Sequence, residues 1–282
     1  MSAPDQTKIL EVRDLAVSFA QSSLRAVDGV SFSLGAERLG IVGESGSGKS
    51  TLGRAIMRLL PGSAKVSASE FSFEGRDILS TSERQMRALR GNRLALIMQD
   101  PRYSLNPVLK IGRQVAEAAR LHKKVGKSQA DALARDMLQR VRIADVERVM
   151  HLYPHQISGG MGQRVMIAMM LLARPRLVIA DEPTSALDVS VRADVLKLLD
   201  ELVTENGSGL LLISHDIRMV AAFCQRMLVM YKGRVVEELT DLSAATHPYT
   251  RGLIAAMPDP RHPVRRLQTL DRQAIDAIEV RG

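Results

Sequence analysis

The sequence predicts an α/β fold: a mixed, mostly parallel sheet core, an N-terminal antiparallel β layer and an inserted all-helical subdomain. Three observations carry that expectation. The apolar run Leu39-Gly40-Ile41-Val42 leads into Gly43-Glu44-Ser45-Gly46-Ser47-Gly48-Lys49-Ser50-Thr51, and a helical pattern follows over Leu52–Leu60. Buried strand, glycine loop and helix, in that order, are the setting of a phosphate-binding loop. Past residue 176, short apolar runs alternate with helical patterns, the rhythm of parallel strands covered on both faces. Between 111 and 174 every periodic segment is helical.

Taken in order, Ile9–Ser18 reads as a strand, with Leu10, Val12, Leu15 and Val17 apolar among polar neighbours. Val27–Leu34 is a second, carrying Val30, Phe32 and Leu34 on one face. The two are expected to pair antiparallel through Gln21-Ser22-Ser23, with Phe19 at an exposed turn where it packs inward or stacks on a purine ring. Pro61-Gly62 is expected to close the helix after the loop. Phe71–Phe73 and the turn Glu74-Gly75-Arg76-Asp77 predict a short hairpin, Ser82–Arg90 a helix, and Leu94–Met98 a buried strand running into Gln99-Asp100-Pro101. Two proline-bearing segments, Asp100-Pro101 and Asn106-Pro107, bracket a loop, after which helices are expected at Ile111–Leu121, Ser128–Arg140 and Met161–Ala173. Strand Leu177–Ala180, helix Val191–Glu205, strand Leu210–Ile213, helix Ile217–Cys224, strand Met227–Met230 and a short last strand at Val235-Val236 complete the pattern. The corresponding domains are a core that carries the glycine loop over 1–100 and 175–257, a helical subdomain over 101–174, and a peripheral tail over 258–282.

Composition narrows the class. The chain has 282 residues, of which 45% are hydrophobic, enough for a full core. No run approaches the ~20 apolar residues that span a bilayer. Met1–Lys8 is polar and lacks a signal-peptide core, so the chain is expected to stay on the side where it is made. The single cysteine, Cys224, excludes an internal disulfide or a multi-cysteine metal site and is expected to be packed in the core. The formal charge of +8, without Trp and without a dense basic run, favours a solvated surface near an anionic membrane leaflet over nucleic acid.

The chemistry sits at two places. Glycines let the backbone of Gly43–Gly48 curl so that its N–H groups face one concave nest, and the following helix adds its positive end. Lys49 is placed for the β- and γ-phosphates and the Ser50 hydroxyl for Mg²⁺. The strand Leu177–Ala180 ends in Asp181-Glu182. In phosphate-loop NTPases a carboxylate there holds Mg²⁺ through its water shell, and a second one beside it can polarise water for attack.

Further motifs carry a family resemblance. Ile157-Ser158-Gly159-Gly160-Met161-Gly162-Gln163-Arg164 resembles the signature of ATP-binding cassette (ABC) ATPases, which have a P-loop NTPase fold. Pro183-Thr184-Ser185-Ala186-Leu187-Asp188 is similar to their D-loop, Ser214-His215-Asp216 to their switch histidine, and Gln99 to their Q-loop glutamine. The resemblance implies ATP and Mg²⁺, with Phe19 on adenine, residues 43–51 on the phosphates, and Ser50, Gln99 and Asp181 at the metal. It also implies Glu182 as the base and His215 at the γ-phosphate. Ser158, Gly159, Gly160 and Met161 would then act in trans, across a head-to-tail dimer, with Ser185 and Asp188 of the D-loop meeting the opposing His215. Ile157 and Met161 depart from the commonest signature without removing Ser158 or the backbone donors.

His247-Pro248-Tyr249-Thr250-Arg251-Gly252-Leu253 resembles a segment of the di/oligopeptide and nickel importer branch. That likeness implies ATP-driven uptake of peptides or nickel and other metal chelates. The partners would be a second, homologous or identical ABC ATPase subunit, two membrane permease subunits and, indirectly, an extracytoplasmic solute-binding protein. It places the chain peripherally on the cytoplasmic face of the cell membrane, with Tyr103 or Leu105 in the groove for a permease. The alternatives are a soluble ABC ATPase acting on ribosomes or DNA and a regulatory subunit without turnover. The HPYT-type segment weighs against the first, and Glu182 with His215 against the second.

Overall fold

The computed structural model describes residues 8–20 and 24–257. The expected link Gln21-Ser22-Ser23, the first seven residues and the tail from Pro258 lie outside them. In chain order the elements begin with β1 (Leu10–Phe19), β2 (Arg25–Leu34), β3 (Arg38–Val42), α1 (Lys49–Ile56), β4 (Ala64–Ser67), β5 (Glu70–Phe73) and β6 (Arg76–Asp77). Next come α2 (Glu83–Leu89), β7 (Leu94–Ile97), α3 (Ile111–Lys123), α4 (Lys127–Arg140), α5 (Val146–His151), α6 (Gly159–Leu171), β8 (Leu177–Asp181) and α7 (Val189–Asn206). The chain then runs through β9 (Gly209–Ser214), α8 (Ile217–Phe223), β10 (Arg226–Tyr231), β11 (Arg234–Leu239) and α9 (Pro248–Ala256). It divides into two compact units, one built on Ser80–Leu210 and the other on Leu10–Leu79 with the chain from Leu211.

In the unit that holds the glycine loop, β1 is the centre of an antiparallel layer. It pairs with β2, β4 and β5, and β6 completes the order β2-β1-β5-β6. Strand alternation explains the register: Leu10 faces Leu34, Val12 faces Phe32 and Val17 faces Val27, and all six are buried. Phe19 is not at an exposed turn. It is the half-buried last residue of β1, paired with Ala64, because β4 extends the layer to the strand's end. The same unit carries the strand order β11-β10-β3-β9, in which β10 runs parallel to β3, with Leu228 opposite Ile41, and antiparallel to β11. β11 has six residues, longer than the expected Val235-Val236 pair, since the Lys232-Gly233 turn lets its polar residues pair with β10. Helix α1 stops at Ile56, before the expected Pro61-Gly62. Arg58 takes a left-handed backbone, φ 49°, and ends it. Cys224 is buried at the C-terminal cap of α8.

In the other unit β7 pairs parallel with β8, Leu96 opposite Ile179. α2 opens on a capping box, in which the Ser82 hydroxyl accepts the Gln85 N–H and Gln85 accepts the Ser82 N–H. α3 buries Ile111, Val115 and Ala119, and α4 buries Ala130, Ala134 and Leu138, one helical stripe each. α6 buries Val165, Met166, Ile167, Ala168 and Leu171, too many directions for a surface helix, and packs against α3, α4 and α7. Helix α5, absent from the sequence expectation, is six residues long, too short to show periodicity.

Candidate functional site

The glycine loop is built within its own unit. Gly48 is the N-cap of α1 with φ 101°, and no side chain caps that helix. A Cβ on Gly48 would stand 2.2 Å from the Ala26 carbonyl oxygen, and one on Gly43 would stand 2.2 Å from that of Met230. Both positions therefore require glycine on steric grounds. Lys49 is buried. Its ammonium donates to the Gly43 and Glu44 carbonyls at 2.7 Å each and to the Ser47 hydroxyl at 3.3 Å. Ser47 N–H donates to Glu44 O, while the Ser47 carbonyl accepts the Gly233 N–H at 3.0 Å. Ser45 and Gly46 are exposed at the loop tip, and Ser50 and Thr51 are half-buried on the first turn of α1. A glycine loop that opens a helix without a side-chain cap leaves the N–H groups of the first turn open to an anion. His215 is exposed between β9 and α8. The next residue, Asp216, caps α8 by accepting the Met219 N–H at 3.0 Å.

The remaining candidates lie in the other unit. Gln99 is exposed after β7. Asp100 follows, and the Arg102 guanidinium hydrogen-bonded to it holds its carboxyl below the usual carboxylate range. Gln114 of α3 clamps the loop: its side-chain oxygen accepts the Asn106 N–H at 2.8 Å and its amide donates to the Asn106 and Leu109 carbonyls. Tyr103 is 81% exposed but Leu105 only 5%. Leu105 is therefore buried, and of the two side chains expected to meet a permease Tyr103 is the exposed one.

Ser158 is the N-cap of α6, its hydroxyl accepting the Met161 N–H at 3.3 Å. The helix starts at Gly159, two residues before the expected Met161. Gly159 and Gly160 thus form its first turn, and the serine cap, a stronger start signal than the glycines are a break, decides the boundary. Gln99's loop, the signature turn and the D-loop come together around one cleft of about 480 Å³ lined by Pro101, Leu105, Ile157, Ser158, Gly159 and Leu187.

Asp181 is the half-buried last residue of β8. Glu182 follows with φ 48°, a left-handed backbone for a residue preceding proline. The Ser185 hydroxyl and N–H both donate to the Glu182 carbonyl, at 3.1 and 3.2 Å, which holds this conformation of order 1–3 kcal/mol strain. Asp188 is exposed at the N-cap of α7 and makes no side-chain cap bond.

Sequence reasoning missed three supporting residues. Gln114 is one. Tyr249 is another: the Glu44 N–H of the glycine loop donates to its hydroxyl oxygen at 2.9 Å. The third, Glu237, accepts the Thr246 N–H and hydroxyl at 2.7 Å and the His247 N–H at 3.1 Å. Burial opposes ionisation of Glu237, but the nearby Thr250 hydroxyl and the hydrogen bonds from Thr246 and His247 outweigh it and bring the carboxyl down to about 2. None of these partners leaves a periodic trace; the Thr-His-Pro sequence marks only the start of α9.

Comparison with known proteins gives the family. A family model described as ABC transporter matches residues 27–185. The chain is 51% identical over 267 residues to a probable peptide ABC transporter ATP-binding protein of Sinorhizobium fredii, covering 92% of this chain and 80% of that one. It is 46% identical over 256 residues to the oligopeptide transport ATP-binding protein OppD of Salmonella typhimurium, covering 89% and 76%. Among solved structures, it resembles the ATP-binding cassette MJ0796, solved as a dimer in a post-hydrolysis state with ADP and Pi. The TM-score is 0.72 at 25% identity, covering 82% of this chain and 98% of that one.

Proposed function

This chain belongs to the ABC transporter family, and from that premise we infer that it is the ATP-hydrolysing subunit of an importer that takes up peptides. The observation that supports the reading is the glycine loop, where α1 opens without a side-chain cap and the buried Lys49 ammonium is held against the loop carbonyls. The peptide cargo rests on the names of the relatives, which favour it over nickel or other metal chelates. The fold is that of a P-loop cassette, and the activity is ATP hydrolysis coupled to transport.

Each group has a role in that reaction. The loop backbone and Lys49 hold the phosphates, and Phe19 stacks on the adenine. Glu182 orients water for in-line attack on the γ-phosphorus. His215 meets the γ-phosphate. Mg²⁺ suits the donors present. The Ser50 hydroxyl and the Gln99 amide oxygen are hard oxygen donors that would hold it directly and the Asp181 carboxylate would hold it through its water shell, and Mg²⁺ needs few protein ligands because substrate phosphates and water supply the rest. When bound it neutralises charge on the β- and γ-phosphates. Ser158, Gly159, Gly160 and Met161 present a second helix N-terminus, which would close on ATP held by the loop of a second ATPase subunit, with Ser185 and Asp188 at the same interface. Two permease subunits and a solute-binding protein would complete the importer, with the ATPase peripheral on the cytoplasmic face of the membrane. No helix among the described residues is long and apolar enough to cross it.

The test is phosphate release and ATP-driven peptide uptake in vesicles carrying the assembled transporter. Glu182→Gln, a poor base, is expected to lower turnover by about 10²- to 10⁴-fold and stop uptake while retaining ATP. Hydrolysis by that variant at the wild-type rate would overturn the assignment.

A further inference from the structure

Helix α9 reaches the glycine loop through one buried side chain. Tyr249 is fully buried, and its ring lies against that of Tyr231 with centroids 4.3 Å apart. Its hydroxyl oxygen accepts the Glu44 N–H at 2.9 Å. That N–H belongs to the same peptide plane as the Gly43 carbonyl, which accepts the Lys49 ammonium at 2.7 Å. In a trans peptide the two groups point in opposite directions. The plane is thus pinned from both sides, by Tyr249 on the N–H and by Lys49 on the oxygen.

We propose that Tyr249 is a positioning residue for the phosphate loop: it fixes the Gly43–Glu44 peptide and, through it, the place of the Lys49 ammonium. Rotation of this plane would turn away one of the two carbonyls that Lys49 holds at 2.7 Å. The start of α9 is itself anchored, since Glu237 accepts both N–H groups of Thr246-His247 and the His247 imidazole accepts the Tyr249 N–H at 3.2 Å. The segment after the last strand therefore acts on phosphate affinity without touching nucleotide. The proposal rests on the reading of the loop as a nucleoside-triphosphate site.

Tyr249→Phe in the full chain keeps the ring against Tyr231 and deletes only the oxygen. The expected result is an ATP dissociation constant raised about 3- to 10-fold, the range for one net hydrogen bond, with turnover at saturating ATP within about twofold of wild type. The Glu44 amide should lose protection from hydrogen exchange while the α9 amides keep theirs, a split that general loosening of the helix would not give. Unchanged ATP affinity in the folded variant, or a fall in kcat without a change in affinity, overturns the proposal. Should the variant fail to fold, exchange in the wild-type protein decides. A Glu44 amide at least about tenfold slower than that of exposed Ser45 supports the bond, and one equally fast refutes it. The wild-type titration separates the two levels: no ATP binding there overturns the site reading and this proposal together, whereas wild-type binding with an indifferent variant overturns the proposal alone.

Discussion

The phosphate loop and the signature turn are both glycine-rich segments that open a helix, yet they are built to different degrees of completeness. At the phosphate loop no side chain caps α1, and Gly48 in a left-handed conformation lets the backbone bring its own donors inward. A buried lysine is already hydrogen-bonded within the loop, and a buried tyrosine braces it from behind. At the signature turn the Ser158 hydroxyl is used as a cap, Ser158 and Gly159 are exposed, and Gly159 has no atom within 4 Å of where a Cβ would lie. The difference teaches that one glycine segment is held in place by contacts within its own unit, whereas the other offers an open helix end with space in front of it. That is the form expected of a half-site completed by a second chain.

The largest effect that would sharpen this contrast comes from Lys49. Lys49→Ala removes the charge at the base of the nest and leaves two carbonyls without their donor. Nucleotide affinity, measured by titration, should fall about 10- to 100-fold and hydrolysis should disappear. No comparable single substitution at the signature turn should abolish nucleotide binding by the isolated subunit.

Next in size is a pair of changes at Ser158. Aspartate caps a helix about as well as serine, so Ser158→Asp should leave thermal stability within about 0.5 kcal/mol of wild type, whereas Ser158→Ala should lose about 1 kcal/mol. If the turn also meets phosphate, the aspartate charge should lower turnover tenfold or more despite the intact cap. Wild-type phosphate release from Ser158→Asp would reduce the signature to a structural cap and break the comparison.

The smallest effect is a pH dependence on the side of the phosphate loop. The folded-state value of Glu237 lies near 2, below its ordinary 4.5. Its contribution to stability is therefore complete above about pH 4.5 and is lost as pH falls through about 2. Denaturant midpoints across that window should decline in wild type and decline less in Glu237→Gln.

How much of this was legible in advance follows the range of the interactions involved. Residues 43–51, the strand before them and the carboxylates Asp181 and Glu182 could be read directly, because a nest, a helix start and a strand end are each specified by residues a few positions apart. The β1–β2 pairing was legible for the same reason: alternation over ten residues shows which side chains share a face. Boundaries were less so. Arg58 ends α1 by adopting a left-handed backbone that no local rule assigns to arginine, and α6 begins where Ser158 finds the Met161 N–H.

By itself the sequence determined the phosphate loop, the order of strands and helices, and the motifs that place the chain in its family. Tertiary structure alone decided that Leu105 is buried and Tyr103 exposed. It alone set Glu182 in a left-handed backbone, where the proline after it would suggest an extended one. It alone joined Tyr249 to Glu44, 205 positions away. A hydrogen bond between distant residues is set by how whole elements pack, and packing leaves no periodic mark in either of the short segments it brings together.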